Sequence, residues 1–413
     1  MLGPYRVLDL TDHRGLVCGQ ILADLGADVI LVEPPTGSPA RQLPPYADDP
    51  TDPERSLFWW AYARNRRGIT LALSHPEGRA IFRRLVASAD FVIESERPGS
   101  LAALGLDHAT LAALNPRLVT VSITAFGQHG PKAEWAESDL VLLAAGGPLV
   151  LQGDDDRPPV RLPVPQAYLH AGAEAAVAAL VAHHERVRSG LGQHVDVSAQ
   201  QAVALATQSY ILCDALGAPE VRRTAGGLKH GALTLRLLFP AADGHVAITF
   251  LFGSAIGRFS RRLMEWIHDE GGCDAATRDK DWLGYTALLL SGREPIEEFE
   301  RVKQVVADFT RVRTKATLLA AAVEHDLLIS PVATIDEVVA SPQLAARDYW
   351  RMVPRPTAGA DVRHPGPFAR FSATPIGYRR RAPRLGEHTR EILQGELGLD
   401  DRALAALARE GVT

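Results

Sequence analysis

Cysteine is scarce in this chain: three residues, Cys18, Cys213 and Cys273, odd in number and far apart. They provide neither a disulfide framework nor the paired spacing of a zinc site, and their use fits a reducing cytoplasm. A long apolar run is missing as well. No stretch approaches the roughly 20 residues that span a bilayer, and strand-forming residues begin at Tyr5, which leaves no room for a signal peptide. There is no excess of positive charge. Lys and Arg number 44 against 49 Asp and Glu, a net charge of −5 that argues against nucleic acid as a partner. No metal site is expected either: His183 and His184 adjoin on a helical stretch and point to different sides, and the Asp154-Asp155-Asp156 run reads as a solvated turn. Also absent is G-x-G-x-x-G. The first turn reads Thr11-Asp12-His13-Arg14-Gly15, so a dinucleotide is not implied.

What is present is a core-forming composition, 46% hydrophobic over 413 residues, with room for a large and a small domain. Val7-Leu8-Asp9-Leu10 reads as a buried strand, and Thr11 or Asp12 can cap the helix after it. Leu16, Val17, Ile21, Leu22 and Leu25 recur at helical spacing, Gly26 ends the helix, and Val29 to Glu33 is a second strand. Strand, helix and strand within about thirty residues make a βαβ unit, hence a parallel sheet. Phe91–Glu94 and Leu118–Ile123 read as further strands, and Gln166–Arg188 as a long Ala-rich helix closed by Gly190. Leu57 to Tyr62 is an aromatic cluster suited to core packing, Ala225 to Gly231 reads as a linker, and Pro354 to Pro383 as an extended arm.

Several of these stretches resemble class III CoA-transferases, the family of formyl-CoA and carnitine CoA-transferases and α-methylacyl-CoA racemases. The opening Val7-Leu8-Asp9-Leu10 with Leu22-Ala23-Asp24-Leu25-Gly26-Ala27-Asp28-Val29 is one match. Arg64-Asn65-Arg66-Arg67-Gly68-Ile69-Thr70-Leu71 is another, as are Phe126-Gly127-Gln128-His129-Gly130-Pro131 and Gln193-His194-Val195-Asp196-Val197-Ser198. Near the C-terminus, Leu327 to Ala333, Ser341 to Arg347 and Leu385 to Thr389 come in the family's order. At Arg97-Pro98-Gly99 the family turn is kept, but Ser95 and Glu96 stand where Asn and an aromatic are usual. The resemblance implies that coenzyme A or an acyl-CoA binds near Arg41, Arg66, Arg67 and Arg97. Guanidiniums at strand ends suit bidentate bonds to phosphates.

The same resemblance implies an aspartate nucleophile opening the long helix, attacking the acyl thioester through its carboxylate. Counting back from Gly190 through Gly172, Ala171 and Leu169 places that position at Tyr168, and no Asp or Glu lies between Asp156 and Glu174. An unperturbed phenol, pKa about 10, is less than about 1% ionised at pH 7. Three residues remain as candidate catalytic groups: Tyr168 itself, His170 two places on, and Asp139, which matches an acidic position beside the family's active site. Each also has a plain structural use, as packing, as a helix-face residue and as an N-cap. The racemase branch would need His at Ser138 and Asp at Tyr168, so proton transfer at an acyl α-carbon lacks both partners.

The expected architecture is α/β: an open Rossmann-like parallel sheet built from both chain ends, residues 1–215 and 330–413, plus a smaller α+β domain over 225–325. The resemblance further implies an interlocked dimer. Two functions are open on these grounds. One is an acyl-CoA:carboxylate CoA-transferase with atypical catalytic residues. The other is a binding or structural subunit that pairs with a catalytic homologue, as in heteromeric members of the family.

Overall fold

The computed structural model describes residues 1–217, 223–230, 233–354 and 361–413. These form two compact units, one of residues 1–149, 161–216 and 343–413, the other of residues 150–160 and 217–342. In the larger unit six parallel strands make one sheet: β1 (Arg6–Asp9), β2 (Asp28–Glu33), β3 (Arg67–Thr70), β4 (Phe91–Glu94), β5 (Val119–Thr124) and β6 (His194–Ser198). They lie in the order β3-β2-β1-β4-β5-β6. This is the doubly wound order, which reverses direction between β1 and β4. Neighbouring residues of one strand enter different cores. Val7, Val29, Phe91 and Val119 pack with the Leu16–Asp24 and Ala167–Ser189 helices, whereas Leu8, Ile30 and Val92 pack with Pro76–Val86 and the C-terminal helices. Both faces are therefore covered, as a parallel sheet requires.

The glycine fingerprint is missing, yet one of its functions survives. A Cβ on Gly19 would stand 2.1 Å from the Asp9 carboxylate, so only glycine lets the first helix close onto β1. The helix cap expected from Thr11 or Asp12 does not form. Gly15 is the N-cap without a side-chain bond, and the Asp12 carboxylate turns to Arg14 instead.

Buried arginines fasten this unit. Arg41 makes two bonds to Glu33, at 2.7 and 2.8 Å, while its guanidinium lies 3.9 Å over the buried Trp59 ring. Arg64 bonds Asp24 at 2.7 Å and donates to the carbonyls of Pro365 and Gly366. Asn65 bonds Asp24 and the Gly377 carbonyl and accepts from the backbone of Arg379 and Arg380. The arm expected over 354–383 is thereby held against the sheet along its described part; residues 355–360 lie outside the described residues. His388 and Thr389 accept the backbone N–H groups of Gly68 and Thr70, which puts the C-terminal helix beside β3.

The smaller unit is α+β. An antiparallel sheet, β11-β10-β9, packs its Phe239, Val246 and Ile248 with Phe250, Trp282, Tyr285 and Phe299. In this sheet β9 is Leu238–Ala241, β10 is Gly244–Ile248 and β11 is Ile329–Pro331. The boundaries differ from the sequence expectation for physical reasons. Asp154 accepts the Ala225 N–H and its carbonyl accepts from Arg223, so 150–160 belong here and the acidic run is not merely a solvated turn. β11 pairs with β10, and Lys315 meets Glu337 at 2.6 Å, which carries the unit on to 342. The stretch read as a linker contains β7 (Gly227–His230), paired with β8 (Leu233–Arg236); Gly231 lies outside the described residues.

Removing one partner of a buried ion pair leaves an uncompensated charge. Arg64→Met should therefore lower stability by about 3–5 kcal/mol, and adding Asp24→Leu should restore much of it. Urea unfolding of the two variants measures this. Equal stabilities for Arg64→Met and the double variant would contradict it.

Candidate active site

Ligands of doubly wound sheets sit outside the carboxyl ends of the strands, where the order reverses. Here that crevice lies between the loops following β1 and β4. Leu10 N–H bonds the Ile93 carbonyl at 2.8 Å, and Asp12 N–H bonds Ser95 Oγ at 3.0 Å. Asp12 holds Arg14 in a two-pronged pair, Nε–Oδ1 and Nη2–Oδ2 both at 2.8 Å. Burial pushes the Asp12 carboxyl up, but the hydrogen bonds and charge of Arg14 outweigh it and keep it below its usual range. Arg14 also faces Glu137 at 3.8 Å.

The long helix brings its first turn to this crevice. A Cβ on Gly172 would stand 2.9 Å from Val17, so glycine permits the close crossing of the two helices. Gln166 at the N-cap makes no side-chain cap; Asp139 does that work from another helix, its Oδ1 accepting the N–H groups of Gln166 at 2.6 Å and Ala167 at 2.8 Å. Its Oδ2 is buried without a hydrogen bond. In the helix's first turn, the buried Tyr168 ring meets His13 edge-on at 6.0 Å, with Glu137 beside its hydroxyl. Burial and then Glu137 push this phenol far above its usual range, so it stays protonated. A protonated phenol donates a hydrogen bond; it does not attack a thioester.

The residues singled out by sequence thus part company. Tyr168 and Asp139 meet at one helix start. His170 is exposed on that helix. Arg41 and Arg66 are interior, Arg66 fully buried with its Nε 3.3 Å from Asp9, and neither guanidinium reaches solvent. Arg67 lies at the opposite, N-terminal end of β3 and is bonded by Asp28, Glu391 and Glu396. The expectation that these three meet coenzyme A is corrected accordingly: Arg41 and Arg66 are closed off from solvent, and Arg67 sits at the end of the sheet away from the crevice, shared among three carboxylates. Arg97 alone of the four is exposed at a strand's carboxyl end, and it makes no ion pair among the described residues.

Sequence reading missed Asp12, His13, Arg14, Glu137 and Glu94. The signal available was position: the first two directly follow β1, and Glu94 closes β4, the two strands that flank the reversal. Beside the crevice lies a cleft of about 270 Å³ walled by the carboxyl ends of four strands, with Leu10, Val32, Pro34, Leu71, Glu96 and Leu101 among its lining. Among the described residues no group of three or more His, Cys, Asp or Glu side chains could hold a metal ion, and no helix is long and apolar enough to cross a membrane.

A doubly wound domain with this ligand crevice and no dinucleotide fingerprint defines a Rossmann-like ligand-binding protein. The model of CoA-transferase family III matches residues 2–389, and the chain belongs to that family. It is 37% identical over 391 residues to the succinyl-CoA:(R)-benzylsuccinate CoA-transferase subunit BbsE of Thauera aromatica, covering 94% of this chain and 92% of that one. It is 34% identical to the succinyl-CoA–D-citramalate CoA-transferase of Chloroflexus aurantiacus, over 100% of this chain and 98% of that one. Among solved structures, a CaiB/BaiF family protein from Brucella suis superposes with a TM-score of 0.81 at 29% identity, over 95% of this chain and 98% of that one.

One titration in the crevice wall is measurable. Glu94 is buried, and desolvation lifts its carboxyl from 4.5 to about 7 against the hydrogen bonds from Ser122 and the Glu96 N–H. The folded state then binds the proton more tightly than the unfolded chain. Its contribution to stability is complete below about 4.5, and about 3 kcal/mol is lost as pH rises through about 7. Glu94→Gln should abolish that loss. Urea unfolding of both proteins at about pH 5 and about pH 8 checks the sign; an identical pH dependence in the two would refute it.

Proposed function

We propose that this chain is one subunit of a CoA-transferase that exchanges coenzyme A between succinate and a second carboxylic acid, with the nucleophilic carboxylate supplied by a homologous partner chain. The observation that carries this reading is Tyr168. It occupies the first turn of the long helix, buried and protonated, while Asp139 is spent on the helix cap and His170 faces solvent. A relative so named, BbsE, is itself a subunit, and both relatives compared above carry succinyl-CoA in their names. The long helix also presents Val177, Val181 and Val187, each more than 60% exposed, which suits burial against a second chain in an interlocked dimer. Coenzyme A would lodge in the cleft at the carboxyl ends of β1 to β4, against Leu10, Val32, Leu71 and Leu101.

A second reading has one observation in its favour. Glu137 places a carboxylate beside the Tyr168 hydroxyl, and it would make the chain active by itself.

The two readings separate cleanly. Purified alone, the chain should bind coenzyme A in calorimetry and should transfer none from succinyl-CoA. Tyr168→Asp restores a carboxylate at the helix start and should give a hydroxylamine-sensitive acyl adduct at residue 168. Turnover by the unmodified chain alone, with the adduct on Glu137, would establish the second reading. No binding of coenzyme A or any acyl-CoA would overturn both.

A further inference from the structure

The face of the sheet between β4 and β6 breaks the rule that strands of a covered parallel sheet are apolar on both sides. Glu94, Thr120 and Ser122 are buried there, with 5, 5 and 6% of their surface exposed. Glu94 is paired in register with Ser122, and Thr120 with His194. Their polar groups form a connected line. Ser122 Oγ hydrogen-bonds His194 Nε2 at 2.9 Å, and Glu94, its neighbour across the strands, accepts the Glu96 N–H. Thr120 Oγ1 hydrogen-bonds His108 Nδ1 at 2.8 Å, and the two imidazoles stack at 5.7 Å and 22°. This line is the wall of a cavity of about 330 Å³, and Arg97 stands at it. The other carboxylate there, Asp107, is occupied in capping the helix that starts at His108, accepting from Thr110 N–H and Oγ1.

Ser122 with His194 and Thr120 with His108 satisfy one another, so the cavity that they line with Arg97 offers a small polar anion hydrogen-bonding partners beside a positive charge. We propose that this cavity binds a small hydroxy- or dicarboxylic acid, its carboxylate on Arg97 and its second polar group on the Glu94–Ser122–His194 line. The charges agree with that choice. Burial holds the Glu94 carboxyl up near 7, and it holds both imidazoles below their usual range. Around pH 7 the two imidazoles are therefore largely neutral and Glu94 is about half protonated, while Arg97 provides a positive charge for a single carboxylate. An inner carboxyl would share a proton with Glu94, because two carboxylates at one site do not both ionise. Inorganic phosphate carries a comparable charge but has no second polar group held apart from the first by a carbon chain. The cavity lining includes none of Asp12, His13, Arg14, Glu137 and Tyr168, so the proposal stands apart from the transfer reading.

Calorimetry with succinate, malate and lactate, and with inorganic phosphate as the contrasting anion, tests it on the full chain. At least one of the acids should bind saturably at millimolar concentration, and phosphate should not displace it. Arg97→Ala and His194→Ala should each weaken that acid about tenfold, the loss expected for one charge-assisted hydrogen bond. His194→Asn, which keeps a hydrogen-bonding head for Ser122, should weaken it less. Arg390→Ala, at an exposed arginine elsewhere, should leave it unchanged. His194 lies at the sheet edge and Arg97 on the surface, so circular dichroism of these variants should match the parent. Absence of saturable binding by all three acids, equal competition by phosphate, or binding unaffected by both Arg97→Ala and His194→Ala would overturn the proposal. Because coenzyme A is titrated separately, failure here is distinguishable from failure of the transfer reading.

Discussion

The large unit depends on guanidinium groups kept out of water. Arg41, Arg64 and Arg66 are all almost fully buried, and each meets a carboxylate from β1, β2 or the helix between them. Such pairs add little net stability, since desolvation offsets most of the attraction. Their effect is geometric. Arg64, Asn65 and Arg41 also bond carbonyls at 365, 366, 377 and 383, so the returning chain fits in only one register against the first. The sheet's three-layer build, and with it the crevice at the reversal of strand order, rests on that fastening. Asp9 and Arg66 show its cost: burial pushes the carboxyl up and the guanidinium down, and neither reaches good hydrogen-bond geometry with the other.

This explains where sequence reading succeeded and failed. The βαβ opening and the long helix were legible because periodicity and terminating glycines are local, and Gly190 does end that helix at φ +79. The arginines were misread because a guanidinium beside a strand looks the same whether it meets a phosphate or a carboxylate. Asp9, Asp24, Asp28 and Glu33, which claim them, lie between 8 and 57 positions away in sequence, and only the fold brings them close. The aromatic run at 57–62 was read as packing, and Trp59 does lie buried beneath Arg41. The boundary of the smaller unit was misplaced because one strand pair, β10 with β11, outweighs the composition change that suggested an earlier return.

At the crevice the start of the long helix is held from outside the helix itself. The cap on the long helix is independent of position 168, because Asp139 reaches it from outside and Gln166 contributes nothing. Tyrosine can therefore replace a carboxylate at 168 without unravelling the helix start. Its ring fills space against His13, and its hydroxyl faces Glu137, an arrangement that strengthens the neutral phenol and removes the means of nucleophilic attack. Beside it Asp12 and Arg14 form a paired, charged rim of the crevice.

The two cavities on either side of the turn after β4 share a wall. Leu101 lines both, with Ala102 on one side and Ser100 and Leu104 on the other. All four belong to the single turn that comes after Arg97-Pro98-Gly99, where Gly99 takes φ +83 and Ser100–Ala103 is a helix of four residues. So short a helix has little cooperativity of its own. Its position is set by the groups packed against it on each side. Any ligand that shifts this turn in one cavity changes the shape of the other, and linkage requires the effect to be equal in both directions. The turn between β4 and the next helix is thus the element through which two ligands on this sheet would communicate.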